Sequence, residues 1–139
     1  MHAFIRNLTC EFFGQGRHKV TYDSLFSDPS SVLLDVRTRE ETQSVCFPLE
    51  HHVSLSLRIP LNELPDRLKE IPRDRMVGIL CVSDVRSAIA YAYLQTNGFA
   101  NVRILAGGTA GLVEQLKTGK VYKQVVAKTN LTKAGAETP

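Results

Sequence analysis

Short apolar runs separated by turn-forming clusters recur along most of the chain, and several have the length of a strand. Val32-Leu33-Leu34-Asp35-Val36 follows the turn cluster Asp28-Pro29-Ser30, and Met76-Val77-Gly78-Ile79-Leu80 is apolar throughout. Continuous runs of this kind fit strands covered on both faces. Val102 to Leu105 predicts another strand and Val20-Thr21 a brief one, while Val53 to Leu57 alternates with serines as a half-buried strand does. Helical patterns lie between them. Tyr22 to Ser27 reads as a short helix with Asp23 in its first turn. Thr38 can cap a helix through Arg39-Glu40-Glu41, whose carboxylates suit the positive end of a helix dipole. Pro60 leads into a face of Leu61, Leu64 and Leu68 that Pro72 ends. Ile89, Ala92, Tyr93 and Thr96 predict one face of the next helix, with Gly98 as its stop, and Gly107-Gly108 turns into the helix of Leu112, Val113 and Leu116.

Repeated strand–helix alternation implies an α/β fold, a parallel sheet with helices on both faces. Residues 1 to 17 show no clean period and read as an N-terminal arm, 18–120 as one domain, and 121–139 as a partly flexible polar tail. In such sheets, sites lie at the carboxyl ends of the strands, which is where Asp35 and Cys81 fall.

Composition adds bounds. The chain has 139 residues, enough for one core, and 43% hydrophobic with 22% charged residues is ordinary for a globular domain. A net charge of +3 without a basic stripe argues against a nucleic-acid binder. Three cysteines, Cys10, Cys46 and Cys81, form no CxxC pair, so a disulfide framework or structural zinc site is not expected. No leader pattern and no run of about 20 apolar residues is present, which makes the cytoplasm the simplest compartment and a membrane partner unexpected. The lone Gly14-Gln15-Gly16 is too weak for a phosphate loop.

The stretch Cys81-Val82-Ser83-Asp84-Val85-Arg86-Ser87 carries the chemistry. A cysteine reacts as its thiolate, which a helix N-terminus or a cation stabilises. Arg86 supplies permanent charge, and a loop curling from strand to helix can turn successive N–H groups inward as an anion nest. A cysteine ending an apolar strand is ordinarily buried and inert. The arginine at fixed spacing, with a helix behind it, favours the reactive reading instead.

Here the sequence resembles the single-domain rhodaneses, whose active-site loop is usually a cysteine, two variable residues, glycine, one variable residue, arginine and a small residue. Leu33-Leu34-Asp35-Val36-Arg37 followed by Glu40-Glu41, Arg58-Ile59-Pro60-Leu61, Gly98-Phe99-Ala100-Asn101-Val102 and Leu105-Ala106-Gly107-Gly108 resemble further family segments in the family's order. The resemblance implies a five-stranded parallel sheet and sulfur transfer through a persulfide on Cys81. A small sulfur-donor anion or a persulfide would be the donor, and no metal or organic cofactor is implied. Arg86 would be the electrostatic partner, and the 82–86 loop (Val82, Ser83, Asp84, Val85) with Ser87 would cradle the sulfur anion. Four residues separate Cys81 from Arg86; the related tyrosine and dual-specificity phosphatases insert five, a wider cradle suited to phosphate. Asp35 and Arg37 read as loop anchors, with a supporting role behind the cysteine loop as the alternative.

The chain departs from the family pattern in three places. Asp84 stands at the usual glycine, where aspartate tolerates a left-handed backbone but adds negative charge. A carboxylate facing the nest would repel thiosulfate and disfavour the thiolate; turned outward it would serve a partner contact. The expectation is poor thiosulfate use with persulfide chemistry retained. The segment between Arg37 and Pro60 is longer than usual and carries Val45-Cys46-Phe47-Pro48-Leu49-Glu50-His51-His52, with 38–52 expected to line the mouth of the site. Cys46 with His51-His52 invites a metal or resolving-thiol reading, but a covered loop with solvated histidines is preferred because a further ligand at metal spacing is missing. Leu112 stands where the family often has tryptophan. Tyr91 and Tyr93 read as helix packing, and Lys117, Lys120 and Lys123 as a solvated face that can also attract an acidic sulfur-carrier protein. A catalytically weak module that binds a partner or senses redox state through Cys81 is the alternative function.

Overall fold

The computed structural model describes residues 1–117. Lys120, Lys123 and the 121–139 tail lie outside the described residues. Five strands form one all-parallel sheet in the order β1-β5-β4-β2-β3, where β1 is Lys19–Val20, β2 Val32–Asp35, β3 Leu55–Arg58, β4 Val77–Leu80 and β5 Val102–Leu105. The helices are α1 His2–Arg6, α2 Cys10–Gly14, α3 Tyr22–Ser27, α4 Arg39–Ser44, α5 Val85–Thr96 and α6 Gly108–Lys117.

The fully apolar strands are buried on both sides, as their composition dictates. Val32, Leu34, Val77, Ile79 and Ile104 face one core layer, which Ala90, Tyr91 and Leu94 of α5 and Leu64 complete. Leu33, Leu80 and Leu105 face the other, closed by Tyr22, Leu25 and Phe26 of α3 and Leu112 of α6. Each of these large side chains taken fully out of water contributes roughly 1.5–3 kcal/mol. Gly78 is required on the α3 face: a Cβ there would stand 2.8 Å from Leu25 Cδ1, so its absence lets α3 lie on the sheet.

Two elements differ from the sequence reading. The Leu61–Leu68 segment is not an α-helix but two 3-10 turns, Leu61–Asp66 and Leu68–Glu70. Pro65 has no N–H to donate back to Leu61, and the tighter turn still buries Leu64. In α5 the buried face is Ser87, Ala90, Tyr91 and Leu94, and Ile89 is exposed. Both stripes have helical spacing; Ser87 sits inside because its hydroxyl donates to the Ile79 carbonyl, 3.3 Å away. The first 17 residues form α1 and α2, too short for a period to show. Phe4 reaches Tyr91 with ring centroids 6.1 Å apart, and Phe4 and Phe12 pack against the first core layer.

Candidate active site

The register of the sheet assembles the site. Asp35 pairs with Leu80 of β4, one residue before Cys81, so β2 and β4 end side by side. From Cys81 the chain leaves the sheet and enters α5, whose N-cap is Asp84 at φ 63°, ψ −24°. Among the described residues Asp84 is the one non-glycine residue in the left-handed region. It thus takes the backbone turn that glycine would provide, at a cost of order 1 kcal/mol. Among the described residues, the amides of Val82, Ser83 and Asp84 donate to no protein group, while Val85 N–H bonds the Ser83 carbonyl at 2.7 Å. Three unpartnered amides beside a twelve-residue helix are available to donate to an anion bound at the loop.

Cys81 lies at the base of this loop and is 1% exposed, whereas Val82, Ser83 and Val85 are exposed. Its carbonyl accepts from Thr109 N–H at 3.1 Å, and the turn into α6 comes in directly above it. Gly108, at φ 53°, presses against this backbone: a Cβ would collide with the Val82 carbonyl oxygen and lie 2.8 Å from that of Cys81. The Tyr22 hydroxyl donates to the Gly108 carbonyl from beneath, and burial first, then Asp84 and Cys81, push the phenol upward so that it stays a donor. Gly108→Ala is therefore expected to lose about 2 kcal/mol or more and to slow reaction at Cys81 about tenfold, since neither carbonyl can retreat cheaply. A thermal melt and a Cys81 labelling rate check it; a wild-type rate would show that the turn does not position the loop.

Arg86 is not left free. Its two terminal nitrogens bind both carboxylate oxygens of Glu41, at 2.6 and 2.8 Å. Glu41 also closes the capping box of α4, accepting Thr38 N–H at 2.8 Å while Thr38 caps the Glu41 amide. One carboxylate thus fastens the start of α4 to the start of α5, and Arg86 reaches an anion at Cys81 as a paired charge. The Arg86 fork, then the Thr38 amide, hold the Glu41 carboxyl down to about 2 from the ordinary 4.5, against the opposing effect of burial. A depressed carboxylate contributes in full above about pH 4.5 and loses its contribution as pH falls towards 2. In a carbon-detected NMR titration Glu41 is expected to keep its ionised shift at pH 4; a midpoint in the ordinary carboxylate range would mean the fork is open in solution.

Asp35 and Arg37 lie behind the loop as a buried pair, with Arg37 Nη2 2.7 Å from Asp35 Oδ2 and the Arg37 side chain 3% exposed. Arg37 Nε also donates to both Asp35 oxygens, and its Nη1 donates to the Val45 carbonyl at 3.0 Å. Its guanidinium lies 5.3 Å from the centre of the Phe47 ring. In this way the long connection is drawn in to the site. Arg37, Glu40, Glu41, Ser44, Val45 and Phe47 line a cleft of roughly 480 Å³ together with Val82, Thr109 and Val113. Exposed Val45, Val82, Val85, Ile89 and Val113 give the surroundings of the loop an apolar surface.

The remaining candidates sit elsewhere. Ser87 is buried, its hydroxyl committed to Ile79. The Asp84 side chain does not line the cleft; it borders a separate pocket beside α1 and α2. Cys46 is exposed with its sulfur 3.3 Å from Arg58 Nη2, and the His52 ring lies 5.4 Å from that of Phe26. Among the described residues no three His, Cys, Asp or Glu side chains are grouped as a metal site. Sequence reading did not assign the fork between Glu41 and Arg86 or the support from Tyr22. Glu41 carried a signal, three residues after a capping threonine, but its partner 45 positions on did not.

With this geometry in hand, the likenesses to known proteins are specific. Residues 19–115 match the model of the rhodanese-like domain. A sulfurtransferase of Allochromatium vinosum is 40% identical over 83 residues, 59% of this chain and 72% of that protein. A tRNA sulfurtransferase of Mannheimia succiniciproducens is 33% identical over 79 residues, which are 57% of this chain but 16% of the relative. Among solved structures, a rhodanese-related protein from Thermoplasma volcanium superposes with a TM-score of 0.59 at 25% identity, covering 70% of this chain and 92% of the other. A NAD-dependent persulfide reductase from A. fulgidus superposes at 0.54 and 33% identity, over 73% of this chain and 17% of that one.

Proposed function

The chain belongs to the rhodanese-like domain family, and on that premise we propose that it moves sulfane sulfur through a persulfide on Cys81. The observation that carries this reading is the loop itself: a cysteine at its base, three amides without partners above it, and the N-terminus of α5 behind. The Cys81 thiolate attacks the terminal sulfur of thiosulfate or of a persulfide. The donor's sulfur–sulfur bond breaks, and its electron pair leaves on sulfite or on a thiolate. The new Cys81 persulfide carries its negative charge on the outer sulfur, where the amides of Val82 to Asp84 receive it. An acceptor thiolate then attacks that outer sulfur and Cys81 regains its lone pair, so no external oxidant or reductant enters. The acceptor we favour is a sulfur-carrier protein docking on the apolar surface around the loop, in a reducing, cytoplasmic setting. Among the described residues no helix is long and apolar enough to cross a membrane.

Intact-mass spectrometry after incubation with thiosulfate or a small persulfide tests the proposal: one added sulfur, mapped to the Cys81 peptide, is expected. A Cys81 that takes no sulfur from any of a panel of donors would overturn it. The near-complete burial of Cys81 and the pairing of Arg86 favour a second reading, a weakly active module that binds a partner or senses redox state. Persulfide donors reacting with thiosulfate remaining inert fits the first reading, and no donor reacting fits the second.

Asp84 sets the choice of donor. Its carboxylate lies outside the cleft, yet it belongs to the loop that must hold a dianion. Asp84→Gly is expected to speed loading from thiosulfate about tenfold, corresponding to about 1.4 kcal/mol at the barrier, and to change loading from a neutral trisulfide little. Stability should move by less than about 1 kcal/mol, because the relieved left-handed strain and the freer unfolded chain oppose each other. Equal thiosulfate rates in the two proteins would remove the charge from the explanation.

A further inference from the structure

Beside Asp84, residues of α1, α2, α5 and the β1–β5 edge line a second cleft of roughly 310 Å³. It is distinct from the cleft lined by Phe47 and Val82, and much of its wall comes from the segment before the family match at residue 19. Phe4, Phe12, Phe13 and Tyr91 contribute four aromatic rings to that wall, and Ala88 supplies a small residue on α5. The volume is that of a small-molecule site, and the lining is almost wholly apolar.

Two polar atoms break the apolar surface. Asp84 Oδ1 and His18 Nδ1 are both buried, both lack a hydrogen-bond partner, and both residues line this cleft. An unmet carboxylate oxygen in an apolar wall carries an uncompensated desolvation cost, which a hydrogen-bond donor would relieve. Burial, with Lys19 adding to it, pushes His18 below the ordinary histidine value, so at neutral pH the imidazole can keep Nδ1 as an acceptor. The His18 ring itself packs against both Phe12 and Phe13, with centroids 5.6 and 5.1 Å away. Aromatic faces with a carboxylate among them attract a desolvated cation.

We propose that this cleft is a binding site for a small organic amine, its ammonium on Asp84 and His18 and its apolar body among the phenylalanines. An anionic ligand would meet the Asp84 carboxylate, and a neutral one would leave that charge uncompensated. Lys19 also borders the cleft, so the anionic analogue is the discriminating control. The site shares Asp84 with the Cys81 loop, but its occupancy is read by ligand binding alone.

The test is titration of the isotope-labelled full chain with phenethylamine, phenethyl alcohol and hydrocinnamate, followed by NMR. Phenethylamine is expected to bind saturably, with shifts centred on Asp84, Ala88 and the α1–α2 amides, at least tenfold more tightly than the alcohol and with no measurable binding of the carboxylate. Ala88→Phe, which fills the cleft from an exposed helix position, should weaken the amine at least tenfold while sulfur loading of Cys81 stays unchanged. Asp84→Asn should bring the amine down to the affinity of the alcohol. Equal binding of amine and alcohol, preference for the carboxylate, full affinity in Ala88→Phe, or no saturable binding would each overturn the assignment.

Discussion

Cys81→Ser is expected to take up no sulfur from any donor, and sulfur transfer should fall at least about 1,000-fold, to the uncatalysed background. The hydroxyl fits where the thiol sits, so the loop, its three amides and the fork between Arg86 and Glu41 remain. Only the nucleophile goes. An alcohol at neutral pH offers almost no alkoxide and cannot form a stable bond to a second sulfur. The variant also carries its own control, because Cys10 and Cys46 are exposed thiols that persist in it. If those two accept sulfur non-specifically, the mass adduct survives in Cys81→Ser and peptide mapping assigns it to them. An adduct on the Cys81 peptide of the native protein that vanishes in the variant establishes the site. Turnover surviving the substitution would move the chemistry elsewhere and sink the persulfide reading.

Arg37→Met is expected to be the most damaging single change to stability, about 3–5 kcal/mol. The substitution keeps much of the buried volume and removes the charge, stranding the Asp35 carboxylate at 4% exposure. It also frees the Val45 carbonyl and takes the cation away from the Phe47 ring. A domain of this size is stable by only about 5–15 kcal/mol, so the loss should lower Tm by roughly 10–20 °C. The double variant Arg37→Met, Asp35→Leu should recover a large part of it, because no lone charge remains inside. A chemical-denaturation cycle of the two single variants and the double one reads the coupling directly. Single and double losses that simply add would show that the pair is not held as a unit.

Much of this was legible along the chain because it is local. The strands were marked by apolar runs with turn residues on either side, α4 by a threonine three positions before a glutamate, and the candidate loop by its cysteine and arginine. What was hidden depends on partners distant in sequence. Nothing near Ile89 says that the helix turns it outward; that is decided by Ser87 reaching Ile79 across the loop. Nothing near Arg86 names Glu41, and nothing near Asp84 says that it lines the pocket of Phe4 and His18 and not the cleft of Phe47 and Val82. Pro65 is a local signal against an α-helix that the leucine spacing alone does not register. Helices of five residues, such as α1 and α2, are too brief for any period to emerge.

The order of the strands also sets a timetable for synthesis. Among the described residues β1 pairs only with β5, so the first described strand must wait for the last described one before it finds its neighbour. No two strands of this all-parallel sheet can close as a hairpin, and every pairing needs a long loop to form first. The pocket of α1 and α2 rests against that late edge, and the Cys81 loop rests against the turn that follows β5. Nascent chains therefore expose Cys81 before they enclose it, and a thiol that is sheltered in the finished protein begins as an open one.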